Sequence, residues 1–311
     1  MKSMIDYMKR KDINMNNIKI ITDSCSDLSS ELLEKYDLDY ARMNTVCDEK
    51  TTPASLYWEY YSPAEFYSAM REGKRITTTQ VPVEEFQRIF GEYISKGFDI
   101  IYIGCSNKLS GSVNTGALVA KKIMEDNPSA KIVCIDSLNA SVGIGMLAIH
   151  ASKLVHEGLE FDEIVKKILD MRNNVRQYVT VHSLDFLKKA GRVTGSAAFF
   201  GNLLGVKPIL ISDADGHNVA IKKVKGRIAS MKELVTLLKD TIIDSEKQTV
   251  YIINSDCNTE ELEQFKQMVL EQISCKDVCV LTLGPIIGAS IGPDALGLFA
   301  FGQEVTYKSG E

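Results

Sequence analysis

Ile18-Lys19-Ile20-Ile21-Thr22, running into Asp23-Ser24-Cys25-Ser26-Asp27-Leu28, sets the reading of the chain. A short apolar run that stops at a hydroxyl-rich turn predicts a buried strand, then a helix from about Ser29 with Glu31 in its first turn. The design recurs. Asp99 to Gly104, DIIYIG, leads through a polar loop into a helical stretch from Val113 to Asp126. Lys131 to Ile135, KIVCI, precedes Asp136-Ser137 and the small-residue stretch Asn139 to Gly145. Strands alternating with helices imply an α/β fold, with a mostly parallel sheet and helices on both faces. Ligands of such sheets bind beyond the carboxyl ends of the strands. All three strands end in hydroxyl-rich loops at that edge.

The second half has another pattern. Phe161 to Asn173 predicts an amphipathic helix leading out of the first unit. Lys207 to Ser212 and Asn218 to Val224 are strand-like and flank Asp213-Ala214-Asp215-Gly216, where Asp-Gly supplies hairpin chemistry. Thr249 to Asn254 and Val278 to Leu283 are further strands, with a helix from Thr259 to Ile273 between them. This is the pattern of an α+β unit. The expected organisation is a polar extension over 1–17, an α/β domain over 18–172 and an α+β domain over 173–311.

Composition narrows the function. A chain of 311 residues, 45% hydrophobic and 25% charged, has room for two domains and a core that encloses a ligand. A net charge of -5 gives no reason to expect nucleic acid. No run of eighteen apolar residues occurs, so stable membrane insertion is not expected. The N-terminus has basic residues but no apolar region of a signal peptide. The seven cysteines are scattered, and Cys275 and Cys279 have no histidine at zinc-ligand spacing. Reduced thiols and a cytoplasmic location follow as expectations. His150, His156, His182 and His217 show no metal spacing, so neither metal nor cofactor is expected. GxGxxG and GxxxxGK[ST] are both absent, which speaks against nucleotide binding.

Three expected loops are rich in hydroxyls and glycine: Thr77-Thr78-Thr79-Gln80-Val81-Pro82, Ser106 to Ser112, and Gly284 to Pro293. Hydroxyls and loop amides donate to carboxylates or phosphates, and glycine admits a ligand close to the backbone. Each segment alone has equally the composition of ordinary turns and helix caps. Lys188-Lys189-Ala190-Gly191-Arg192 is either a cationic turn able to grip an anion or a helix C-terminus complementing the dipole. Trp58 with Tyr57, Tyr60 and Tyr61 reads as packing.

ITDSCSDL, TTTQVPVEEF, SNKLSGS, DFLKKAGRVTG, GNLLGVKPIL and GPIIGASIGPDALGLFAFG stand in one order from about Ile18 to about Gly302. This ordered set resembles the DegV family of bacterial fatty-acid-binding proteins. The resemblance implies a two-domain α/β fold with one long-chain fatty acid in a tunnel between the domains. It implies that the carboxylate, at the mouth, is presented to a separate fatty acid kinase subunit for acyl-phosphate formation. Thr78 and Ser110, with Gly111 beside it, match the carboxylate ligands, and Arg192 matches an arginine linked to the head group and kinase function. Where the family often has Thr-His, this chain has Ala289-Ser290, which loses the imidazole but keeps a hydroxyl. Where the family has Gln-Pro, it has Gln80-Val81. The apolar excess in Phe199 to Leu204, Ile286 to Ile287 and Leu296 to Phe301 is expected to line or flank the tunnel. Two other readings stand. One is a lipid sensor or carrier with no kinase role. The other is an acyl-transferring or hydrolytic enzyme using Ser110, for which neither a G-x-S-x-G elbow nor a candidate histidine base is evident.

Overall fold

The computed structural model describes residues 17–194 and 205–309. Residues 1–16 of the expected extension and the segment Phe199 to Leu204 lie outside the described residues.

A parallel sheet has the strand order β2 (Asp39–Ala41), β1 (Ile18–Asp23), β6 (Asp99–Gly104), β7 (Ile132–Asp136). The three strands expected from their apolar runs are all present within about one residue of the expected ends. β1 is buried along its whole length, as a strand covered on both faces must be. The helices of this half are α1 (Ser30–Lys35), α2 (Pro63–Arg71), α3 (Val83–Ser95), α4 (Ser112–Asp126), α5 (Val142–His156) and α6 (Phe161–Met171). Ser29 caps α1 through its side chain, and Ser62 and Glu65 form a reciprocal capping box on α2.

A mixed sheet has the order β10 (Asn218–Lys225), β9 (Val206–Ser212), β8 (Val175–Thr180), β13 (Leu296–Phe301), β11 (Thr249–Asn254), β12 (Asp277–Thr282). β11 and β12 pair in parallel across α9 (Thr259–Gln272), and the other neighbours are antiparallel. Strand alternation divides this sheet into two faces. Tyr178, Ile209, Ile211, Ile252 and Leu298 pack with Met231, Leu234 and Leu238 of α8 (Arg227–Thr241). Val179, Leu210, Ile253 and Phe299 belong instead to the core shared with the parallel sheet. A slip of one residue in any of these strands would exchange the two sets. The β9–β10 turn forms where Asp-Gly predicts it. Asp213 accepts the Asp215 and His217 amides at 3.0 and 2.8 Å, and Gly216 takes φ +89°.

Two segments differ from the sequence-based expectation. Thr77–Thr79 is not a loop but the strand β5, which completes a small antiparallel sheet with β3 (Asn44–Cys47) and β4 (Lys50–Pro53). Three residues show no period, and only pairing with β3 makes them a strand. Gly284 to Pro293 is not a loop either: it contains α10 (Pro285–Ile291), with proline in its first turn. Its interior Gly288 hides the helical pattern, and a Cβ there would sit 2.4 Å from the Tyr67 hydroxyl. A further short helix, α7 (Asp185–Ala190), ends at Gly191 with φ +68°, placing the cationic turn at a helix C-terminus.

Two buried carboxyls hold the edge where β1 ends. Asp23 accepts from the Cys25 and Cys105 amides at 2.8 and 3.0 Å and from the Tyr102 hydroxyl at 2.8 Å. Asp27 accepts from the Gly284 amide at 2.8 Å and from the Ser141 hydroxyl at 2.6 Å. Burial pushes both carboxyls up, Asp27 well above the usual carboxylate range. A carboxyl raised in the folded state loses stability as pH climbs from its ordinary value of 3.8 through its folded value. Over that window the native state holds a proton that the unfolded chain has released. Asp27→Asn keeps an acceptor for Gly284 and a contact to Ser141 but removes the titration. In thermal melts from pH 4 upward, the midpoint of the parent is expected to fall relative to that of Asp27→Asn. Parallel curves would refute the assignment.

Candidate functional site

A cavity lies between the inner face of the mixed sheet and the carboxyl edge of the parallel sheet. Cys25, Cys105, Ala140 and Ser141, which follow β1, β6 and β7, line one side. Gln177, Val179, Leu210, Ile253 and Phe299, from inward-facing strand positions, line the other. Ile286, Ile287, Ser290 and Ile291 of α10 supply a third wall. Of the apolar segments expected to line or flank a tunnel, Ile286-Ile287 borders this cavity with both residues. Leu296 to Phe301 contributes Phe299, because alternation turns Leu298 and Ala300 towards α8.

Thr78, Ser110, Gly111, Arg192 and Ser290 all border this cavity. They are half-buried or exposed, whereas Cys25, Val179, Leu210, Ile253 and Phe299 are buried. The polar residues therefore form a rim and the apolar ones an interior. Ala289 stands apart. It packs with Phe66, Tyr67 and Met70, and borders a neighbouring depression instead. That depression also contains Lys74, Arg75 and Lys189, and it shares Thr78, Arg192 and Ser290 with the cavity.

The rim hydroxyls differ in their commitments. Thr77 donates to the Val46 carbonyl and Thr79 to that of Gln80. Strand alternation turns Thr78 the other way, and no hydrogen bond among the described residues occupies its hydroxyl. Ser110 Oγ is 2.9 Å from Ser112 Oγ and accepts the Ser112 amide at 3.3 Å. Ser290 donates to the Ile286 carbonyl one turn back, at 3.1 Å. Arg192, whose turn read from sequence as either an anion grip or a helix C-terminus, uses Nε and Nη1 on the carbonyls of Leu109 and Ala190. Its fork thus straps the C-terminus of α7 to the Ser110 loop, and among the described residues Nη2 makes no hydrogen bond.

Several lining residues escaped the sequence reading. Gln177 donates to Asn218 at 3.4 Å, and Asn218 donates to the Arg192 carbonyl at 3.3 Å. Glutamine between Val175 and Val179 is the cue, since the three share one strand face. Which face is inward is decided only by the other sheet. Cys25 donates to Met43 Sδ at 3.3 Å; the adjoining Cys105 thiol and burial push its own thiol well up. The Cys25 sulfur is therefore apolar wall rather than a nucleophile. Among the described residues no histidine lines the cavity, so Ser110 has no imidazole beside it. No helix among them is long and apolar enough to cross a membrane.

Comparison with known proteins agrees with this fold. The family model described as "Uncharacterised protein, DegV family" matches residues 17–303. A DegV domain-containing protein of Clostridium perfringens is 34% identical over 292 residues, 93% of this chain and 99% of the relative. A DegV lipid binding protein from Thermotoga maritima superposes with a TM-score of 0.82 at 25% identity, covering 93% of this chain and 100% of that one. A DegV family protein from Thermus thermophilus, described by its fatty acid binding, superposes at 0.83 with 26% identity, covering 92% and 100%. A family match across nearly every described residue, on the same fold at these scores, makes this chain a member of the DegV family.

Proposed function

We propose that the chain binds one long-chain fatty acid in this cavity and presents its carboxylate to a separate kinase subunit, which converts it to an acyl phosphate. The ligand then lies between an N-terminal domain, 18–172, and a C-terminal domain, 173–311. The observation that carries this reading is the division of the cavity into an apolar interior and a hydroxyl-bearing rim. Each methylene buried contributes about 0.8 kcal/mol, so the alkyl chain supplies most of the affinity. A desolvated carboxylate is costly unless hydrogen-bonded, and Thr78 and Ser110 offer the donors. The lipid and fatty acid binding described for the Thermotoga and Thermus proteins supports the same ligand class here.

The kinase step draws support from the rim. Lys74, Arg75, Lys189 and Arg192 surround the depression beside the mouth. Such a field favours an approaching phosphoryl group or an acidic partner surface. One observation favours a carrier with no kinase role. Ser290 occupies the place of the family's imidazole, and its proton is directed at its own helix.

Ser110→Ala and Thr78→Val are each expected to weaken binding of palmitate by about 1–3 kcal/mol, roughly five- to over a hundredfold. The melting midpoint of the ligand-free protein should stay nearly unchanged in Thr78→Val, whereas Ser110→Ala, which removes a hydrogen-bond partner of the buried Ser112, should lower it. A double variant that binds palmitate as tightly as the parent places the head group elsewhere. Incubation with ATP and palmitate alone should yield no acyl phosphate, and addition of a fatty acid kinase subunit should yield it. Product from the chain by itself would exclude the presenting role. Ser290→His should raise turnover in the complete system, measured as acyl phosphate trapped with hydroxylamine; unchanged turnover would favour the carrier.

A further inference from the structure

We infer that Ser112, buried beneath the rim, orients the Ser110 hydroxyl and so prepares it to donate to the ligand; the inference rests on the carboxylate reading above. Ser112 is the first residue of α4 and is fully buried, whereas Ser110 is half-buried and borders the cavity. Ser112 Oγ accepts the Val81 amide at 3.1 Å. Ser110 Oγ lies 2.9 Å away, a distance at which either hydroxyl can donate to the other.

The surroundings decide the direction. Were Ser110 to donate, the Ser112 proton would be left without an acceptor among the described residues, in a place closed to water. Ser110 has an alternative, because its own proton can point into the cavity. The favoured arrangement therefore has Ser112 donating and Ser110 accepting. Ser110 Oγ already accepts the Ser112 amide, at 3.3 Å, so its lone pairs face that residue and its proton is turned away. The result is a directed chain, from the Val81 N–H through Ser112 to Ser110 and on to the ligand. A hydroxyl that accepts in such a chain becomes a stronger donor. The donor at its head is a backbone N–H, which a proline at position 81 could not supply.

The same residue joins the two donor segments. Val81 lies just beyond β5, which carries Thr78, so its bond to Ser112 ties the Thr78 segment to the Ser110 loop. Gln80 reinforces the tie by donating to Thr115 Oγ1 at 2.9 Å. Gly111 permits the approach, since a Cβ there would fall 2.2 Å from Gln80 Oε1. Ser112 is thus a positioning residue and touches no ligand itself.

The test compares the parent with Ser110→Ala, Ser112→Ala, the double variant and Ser112→Thr. It measures palmitate affinity and the titration of the bound carboxyl, read by NMR with palmitate labelled with carbon-13 at the carboxyl. Ser112→Ala is expected to weaken binding about fivefold or more and to raise the apparent pKa of the bound carboxyl, as Ser110→Ala does. The double variant should be little weaker than the weaker single, because both changes break one chain. Ser112→Thr keeps the hydroxyl and should restore the parent titration. Should Ser112→Ala fail to fold, Ser112→Cys retains the volume with a poorer donor and should still raise that pKa. The inference is overturned if Ser110→Ala weakens binding while the Ser112 variants leave affinity and titration unchanged, or if the two effects multiply in full. Ser110→Ala without effect overturns this inference together with the carboxylate reading.

Discussion

Asp27 carries the constraint on which the rest of the structure depends. Its buried carboxyl holds the Gly284 amide, 257 residues away, and the Ser141 hydroxyl, 114 residues away. The end of β1, the start of α5 and the start of α10 are thereby fixed against one another, and residues of all three segments line the cavity. Asp27 and Ser141 both take positive φ, +50° and +54°, a backbone state that costs about 1–3 kcal/mol for residues other than glycine. The hydrogen bonds among Asp27, Ser141 and Gly284 hold that strained corner, and Ser141 within it borders the cavity.

The second requirement is a sheet with two unlike faces. Helix α8 covers one face of the mixed sheet, so the other must be covered by the first half of the chain. That covering is incomplete where the parallel strands end, because the loops there spend their polar groups on Asp23 and Asp27. An apolar space bounded by satisfied polar loops remains. Inside it Gln177 is the exception, an amide held by long hydrogen bonds to Asn218 and Ser212 at 3.4 Å each.

Arg192 shows how the use of a charged side chain depends on neighbours that the local sequence does not name. A Gly-Arg turn reads as either an anion grip or a helix C-terminus, and here Nε and Nη1 each donate to a main-chain carbonyl at the rim. The charge still contributes to the field at the mouth, together with Lys74, Arg75 and Lys189. Positioning the rim and attracting an anion are thus compatible tasks for one side chain.

Local chemistry in the sequence determined the elements that are long or chemically marked. β1, β6 and β7 are mainly apolar runs, and β1 and β6, the central parallel strands, are buried on both faces, while Asp213 to Gly216 announces its hairpin through turn chemistry. The ordered hydroxyl motifs pointed to Thr78, Ser110 and Ser290, and all three do border one cavity. Tertiary structure alone decided the rest. β5 and α10 are too short to show a period and exist through their partners β3 and Tyr67. Ala289 faces an aromatic cluster, a side no seven-residue helix reveals by itself. The direction of the Ser110 proton depends on Val81, 31 residues from Ser112 in sequence and 3.1 Å from it in space. A hydrogen bond's direction is set by every donor and acceptor within reach, and the chain brings those together only when it folds.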